Sequence, residues 1–229
     1  MTPQLPRTLL RRISFLRRNR CSVLVFALCA MIMVSPLMSA SRTGGLLLVL
    51  VLLGLLVLAT WALRVGRRTF WTAAALAVAT AALVSAHRTS GYELMPVVQG
   101  MAALYMGAVT ILVLRYVLDY HLITTDKVFG AVAAYILIAF SFASLFGLLV
   151  SFEPNAFHVS TVNDPDGRLN WADMMYFSFT VLTSTGFGEI TPVTGMARSL
   201  IVIEQVLGVM YVAFLIARLA NLYGHHSRR

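Results

Sequence analysis

The chain has 229 residues, 59% of them hydrophobic and only 12% charged. A soluble domain carries about 25% charged residues, so this composition, with a mean hydropathy of +0.82, excludes an ordinary water-soluble domain and points to an integral membrane protein. The net charge of +9 is spread through short segments between apolar runs, which is the distribution of positive-inside topology rather than of a nucleic-acid binder.

In chain order, residues 1–20, "MTPQLPRTLLRRISFLRRNR", form a basic cytoplasmic segment. It reads like the charged start of a signal peptide, but the apolar run behind it lacks a small-residue cleavage site, so an uncleaved first span is expected. Leu9, Ile13 and Leu16 can share one helical face among arginines, as in a basic helix lying on anionic lipid. A solvated tail that only sets orientation accounts for the same residues.

Six apolar segments follow: Ser22–Met38, Gly45–Leu63, Phe70–Ala86, Leu94–Leu118, Val128–Phe152 and Met196–Leu222. The expected organisation is a four-helix transmembrane domain at 21–120, a pore-like domain at 127–223 and a short cytoplasmic tail at 224–229. Fourteen basic residues fall on one side of six such spans, among them Arg64, Arg67, Arg68, Arg115, Lys127 and Arg218. The other side has Arg42, Arg88, Arg168 and Arg198, so both termini are expected in the cytoplasm of a multi-pass inner-membrane protein. The fourth span holds one arginine, Arg115, with Asp119 four residues on as a possible partner. A voltage-sensing span repeats arginine along its length, so weak or absent voltage sensing is expected.

The fifth connection, Glu153 to Gly195, differs from the others. Its first half, "EPNAFHVSTVNDPDGRLN", reads as loop with a turn at "NDPDG". Its second half, "WADMMYFSFTVLT", is apolar, and as a helix it reaches about 20 Å, short of a hydrocarbon core of about 30 Å. Asn170 is an N-cap residue and Asp173 favours a helix start. A half-helix that dips into the membrane must be followed by a segment that brings the chain out, and "TSTGFGEITPVTG" takes that place. Irregular backbone at membrane depth is tolerated only where it is buried in protein or lines a watery path. Glycines permit the positive φ that turns successive carbonyls one way, and carbonyl oxygens can replace the water of a dehydrating cation.

The stretch "TSTGFGE" resembles the potassium-channel signature, Thr-x-Gly-(Tyr/Phe)-Gly followed by an acidic residue. Together with the half-helix and the last span, residues 128–222 resemble the pore module of bacterial-type, single-P-loop potassium channels. The resemblance implies an all-α membrane fold of six transmembrane helices, with a re-entrant pore helix and selectivity-filter loop between helices five and six. It implies K⁺ coordination by Ser184, Thr185, Gly186, Phe187 and Gly188, with Thr183 and Glu189 flanking the filter. Ser184 stands where the family usually has threonine, Thr185 where valine or isoleucine is usual, Phe187 where tyrosine is commoner and Glu189 where aspartate is usual. One such loop in the chain implies a homotetramer surrounded by membrane lipid.

Gly208 falls at the family's inner-helix hinge, and close packing against a neighbouring helix explains a glycine there as well. Glu204, one turn earlier, is a carboxyl inside an apolar run and hence a candidate functional residue, either facing a cavity or bonded to the half-helix. Glu153, Asp164, Asp166 and Glu189 make the outer connection acidic, and Arg198 is expected in a salt bridge at its rim. Cys21 and Cys29 share one apolar run and read as packing residues, and the five histidines show no ligand spacing. No catalytic constellation, cofactor motif or small-molecule site is visible, so neither an enzyme nor a nucleic-acid partner is expected. The expected function is passive K⁺ conduction, with no cofactor beyond the permeant ion. A poorly selective monovalent cation channel of the same build, or a non-conducting membrane scaffold or regulatory subunit, remains open on the sequence.

Overall fold

A computed structural model of the chain describes residues 20–39, 95–119, 124–160 and 169–226, with isolated helical positions at Gly54, Trp71, Ala75, Val78 and Ala79. The expected spans at Gly45–Leu63 and Phe70–Ala86 otherwise lie outside the described residues, as do the segment before Arg20, Asp164 and Asp166. Five helices are described: α1 (Arg20–Ser39), α2 (Met95–Leu118), α3 (Thr125–Phe152), α4 (Trp171–Leu182) and α5 (Gly195–His226). Among the described residues three stretches are long and apolar enough to cross a membrane, Pro96–Leu118, Thr125–Phe152 and Gly195–Arg218, and α1 adds a shorter one at Cys21–Ser35. The described part is therefore a helical membrane protein.

Phe157–Val159, expected as loop, instead forms strand β1, which pairs antiparallel with β2 (Ile190–Pro192). His158 sits opposite Thr191, and the Val193 amide donates to the Ala156 carbonyl at 2.8 Å. The ladder ties the end of α3 to the segment that leads into α5. It is only three residues long, too short for period-2 alternation to show in the sequence.

Helix α3 is the shaft of the fold and packs against α1, α2, α4 and α5. In its most apolar window 72% of the residues are buried, against 17% for α5, so α3 is enclosed while most of α5 is uncovered in the single chain. Ala131, Ala133, Ala134, Ala139 and Ala143 are fully buried on α3, and such small side chains let neighbouring helices approach closely. At its C-terminal end Phe146, Phe157 and Phe177 form a mutual aromatic cluster with ring centroids 5.3–5.5 Å apart. These rings join α3, β1 and α4.

The opposite end is held by polar contacts. Thr124 caps α3 and accepts the Lys127 amide, and Asp126 places a carboxylate in the first turn, where the helix dipole favours negative charge. Asp126 is buried and accepts the Cys21 amide and the Tyr116 hydroxyl, each at 2.8 Å. The Cys21 amide is an orphan donor of the first turn of α1, so one carboxylate serves the starts of two helices and anchors α2 as well. Arg218 of α5 donates to the carbonyls of Val117 and Asp119, and Lys127 Nζ donates to the same Asp119 carbonyl at 3.0 Å. These cations satisfy the free carbonyls at the end of α2. Arg115 and Asp119 are both exposed, and no ion pair joins them.

Asp126→Ala removes the acceptor of the Cys21 amide and of the Tyr116 hydroxyl at once and is expected to lower stability by about 2–4 kcal/mol. Asp126→Asn keeps an acceptor for the Cys21 amide and should lose less. Thermal unfolding of the purified protein in detergent reads the order of the two.

Candidate functional site: the loop after the short helix

Helix α4 begins with a reciprocal cap. Asn170 Oδ1 accepts the amides of Ala172 at 2.8 Å and Asp173 at 3.2 Å, and Asp173 Oδ2 accepts the Asn170 amide at 2.8 Å. The carboxylate also suits the positive end of the helix dipole. Met174, Met175, Phe177, Ser178, Val181 and Leu182 turn inward, while Tyr176 stays exposed. Twelve residues give a helix of about 18 Å.

The backbone after α4 first folds back onto the helix. The Thr183 amide donates to Phe179 O at 3.0 Å and the Ser184 amide to Val181 O at 2.9 Å. Thr180 O accepts the amides of both Thr185 (2.8 Å) and Gly186 (3.2 Å). Thr183 Oγ1 donates to Phe179 O at 2.7 Å, and it lies 2.8 Å from Thr185 Oγ1. The chain then alternates in hand. Ser184, Gly186 and Gly188 have φ of +56°, +56° and +90°, whereas Thr185 and Phe187 between them keep negative φ. In a regular strand successive carbonyls point to opposite sides. Alternating the sign of φ turns them toward one side.

Among the described residues Ser184 is the one non-glycine residue with positive φ, a conformation that costs a side-chain-bearing residue about 1–2 kcal/mol. Strain of this kind collects at functional loops. No hydrogen-bond donor among the described residues reaches a carbonyl from Ser184 to Gly188. All five residues are exposed in the single chain, and a Cβ added at Gly186 or Gly188 would meet nothing within 4 Å. The loop thus spends the amides of Ser184, Thr185 and Gly186 on α4 and leaves all five of its carbonyls free.

Above the loop, the Tyr176 hydroxyl donates to Glu189 Oε2 at 2.8 Å. Its ring stacks on Phe187 with centroids 6.3 Å apart and planes 5° apart. The hydrogen bond to the Glu189 carboxylate raises the phenol above its ordinary pKa, with smaller contributions from burial and from the carboxylate's charge. The Glu189 carbonyl accepts the Ser160 amide at 2.8 Å, which fastens the loop exit to the residue after β1.

Behind α4 the contacts are close. Gly208 of α5 is buried against the last carbonyl of α4, and a Cβ there would lie inside contact distance of Leu182 O. Packing alone therefore accounts for this glycine. The Tyr135 hydroxyl of α3 donates to the same Leu182 carbonyl at 3.2 Å, and the Tyr135 ring lies 5.7 Å from that of Tyr211. Tyr211 in turn donates to Ala131 O at 2.7 Å. Glu204 is fully buried and bonded through Oε1 to the Ser178 hydroxyl of α4.

The residues singled out in the sequence thus fall into two groups. Thr183 to Glu189 lie together on the exposed loop, and Glu204 and Gly208 lie behind α4. Glu153 is partly buried, with Oε2 unpartnered, and Arg198 is exposed with no ion pair within the described residues. Among the described residues no group of three or more histidine, cysteine or acidic side chains could hold a metal. Sequence reasoning missed Tyr176, Ser178, Thr180 and Tyr135. Ser178 carried a faint signal as a polar residue inside "MMYFSFTVL". Tyr135 carried none, because its partner is 47 residues away.

Residues 135–224, from the middle of α3 through α5, match the profile of a family described as "Ion channel". The viral "Potassium channel protein kcv" of Paramecium bursaria Chlorella virus 1 is 31% identical over 70 residues, covering 30% of this chain and 73% of that protein. The chain belongs to the ion channel family. "Protein LctB" of Geobacillus stearothermophilus is 28% identical to this channel chain over 119 residues, 52% of the chain and 88% of that protein. "Potassium channel subfamily K member 1" of Oryctolagus cuniculus is 31% identical over 80 residues, 34% of the channel chain and 24% of the rabbit protein. The channel chain therefore spans about a quarter of the length of the subfamily K relatives it matches. No solved structure matches it. The family and these potassium-channel relatives are ion channels, not enzymes.

Two substitutions separate the backbone contact from the side-chain one. Gly208→Ala forces α5 away from the Leu182 carbonyl and is expected to lower stability by about 1–3 kcal/mol. Tyr176→Phe removes one hydrogen bond at an exposed site and is expected to lose less than about 1 kcal/mol. Thermal unfolding of the two purified variants checks that Gly208→Ala is the more harmful.

Proposed function

We propose that the chain is one subunit of a potassium channel, in which four copies surround a central axis and pass K⁺ passively across the membrane. The observation that carries this reading is the loop from Ser184 to Gly188: alternating φ, the amides of Ser184, Thr185 and Gly186 turned back onto α4, and carbonyls with no protein partner among the described residues. Carbonyls left unpaired within a membrane-embedded segment need a cation or water to replace the missing donors. One loop offers one wall of such a site. Four loops enclose an ion and supply the oxygens it needs in place of its hydration shell.

Other observations support the assembly. Helix α5 exposes Val202, Val206, Val209 and Met210 with little of its apolar window buried, a surface suited to lipid or to further copies of the chain. Helix α4 is too short to cross a bilayer, and the ladder of β1 and β2 returns the chain to the side it came from, as a re-entrant pore helix requires. The C-terminal end of α4 directs its partial negative charge toward the loop, which favours a cation there. The distribution of basic residues supports an inner-membrane protein of six spans with both termini in the cytoplasm. Conduction in this reading proceeds by knock-on between carbonyl sites and uses no cofactor.

Flux from liposomes reconstituted with the purified protein tests the proposal. K⁺ or Rb⁺ uptake blocked by Ba²⁺, with a reversal potential that follows the K⁺ gradient, is the expected result. A reversal potential indifferent to exchange of K⁺ for Na⁺ overturns selectivity, and absence of flux overturns conduction. Gly186→Ala places a side chain where φ is +56° and is expected to reduce flux at least about tenfold, with membrane insertion unchanged.

A further inference from the structure

Ser178 makes two oxygen contacts with one proton to give. Its Oγ lies 2.7 Å from the Ala139 carbonyl of α3, and it is also bonded to Glu204 Oε1 of α5. Two oxygens at such separations are held together by a proton between them. A backbone carbonyl has none to offer, so the serine proton lies on the Ala139 contact. The Glu204 contact then needs a second proton, and the carboxyl is the one group placed to supply it.

The surroundings lead to the same state by a separate route. Glu204 is fully buried, and its Oε2 has no hydrogen-bond partner. An ionised carboxylate so placed would need a cation or several donors. The polar and ionisable groups that face it are Ser178 from α4 and Tyr135 from α3, whose hydroxyl is already given to Leu182 O. Among the described residues no lysine, arginine or histidine pairs with it. A neutral carboxylic acid leaves only a carbonyl oxygen unpaired, which costs far less than an unpaired charge.

We infer that Glu204 is a neutral hydrogen-bond donor that positions the short helix: through Ser178 it locks α4 to α3 on one side and α5 on the other, and so holds the loop from Ser184 to Gly188 in register. Ser178 stands five residues before Thr183, on the buried face of α4, so a turn of α4 about its axis moves the loop with it. Gly208 and Tyr135 fix the last carbonyl of α4, and the Glu204–Ser178–Ala139 relay fixes its middle. Two points of attachment prevent rotation where one does not. Glu204 in this account is a positioning residue and touches no ion. The inference rests on the channel reading for its consequence, but not for its chemistry.

Infrared spectroscopy of the purified protein at neutral pH tests the protonation directly. The wild type is expected to show the carbonyl stretch of a protonated carboxyl that Glu204→Gln lacks, and no difference between the two overturns the inference. In liposomes Glu204→Gln, which keeps a donor of the same shape, is expected to hold flux and K⁺-over-Na⁺ selectivity within about twofold of wild type. Glu204→Leu and Ser178→Ala are expected to lower selectivity roughly tenfold, as the loss of a buried hydrogen bond allows. If Glu204→Leu does not reach the membrane, Ser178→Ala carries the same expectation. Wild-type selectivity in Ser178→Ala, or a Glu204→Gln as impaired as the leucine variant, overturns the positioning role. The infrared band is read whether or not the protein conducts. A missing band therefore counts against the neutral acid alone, and a missing wild-type flux against the channel reading alone.

Discussion

Every peptide group that lies at membrane depth without a helix or sheet around it needs a partner, because lipid offers none. In the proposed pore that constraint governs the loop after α4. Four amides, from Thr183 to Gly186, turn back onto carbonyls of the last turns of α4, and Thr180 O receives two of them. The carbonyls that follow have no protein donor among the described residues. The balance is lopsided: from Ser184 to Gly188 five carbonyls are left over against the two amides of Phe187 and Gly188. A segment with surplus acceptors is a site for something that brings positive charge, and the proposed function follows from that imbalance more than from any single side chain.

An imbalance of this kind is stable only on a rigid support. The support here is α3, whose small residues bring α4 and α5 close and whose Phe146 packs on Phe157 of β1 and Phe177 of α4. Against that wall the end of α4 is held by a tyrosine hydroxyl and by the bare backbone of Gly208. The outer edge of the loop is held by Tyr176, which stacks on Phe187 and bonds to Glu189. Loop, helix and exit strand are thus braced from behind, from above and from the ladder, while the face with the free carbonyls is left open.

The two ends of the molecule are built on different physics. The end that carries the ladder relies on aromatic packing and a few strand hydrogen bonds. The other end relies on charge and hydrogen bonds, with Asp126 gathering α1, α2 and α3 and Arg218 linking α5 to the last carbonyls of α2. The C-terminal part of α5 is therefore not connected to α3 alone. It is fastened to a helix that precedes the pore-like part of the chain, which gives the leading helices a physical route to the loop-bearing part.

Much of this was legible in the residues themselves. Apolar length and basic spacing marked out membrane segments whose described ends agree with the helices to within a few residues, because hydrophobic runs and caps are local signals. The short helix was legible from Asn170 and Asp173, and the special backbone from Gly186 and Gly188, since a cap and a positive φ are properties of a few adjacent residues. What the tertiary structure alone decided lies in contacts between distant parts of the chain. The pairing of β1 with β2, the burial of Glu204 against Ser178, the contact of Gly208 with Leu182 O and the meeting of Tyr135 with the end of α4 join residues far apart in sequence. A one-dimensional pattern records which residues are apolar and where the backbone can bend. It does not record which helix faces meet, and here that meeting assigns the buried glutamate and Gly208 of α5 their places.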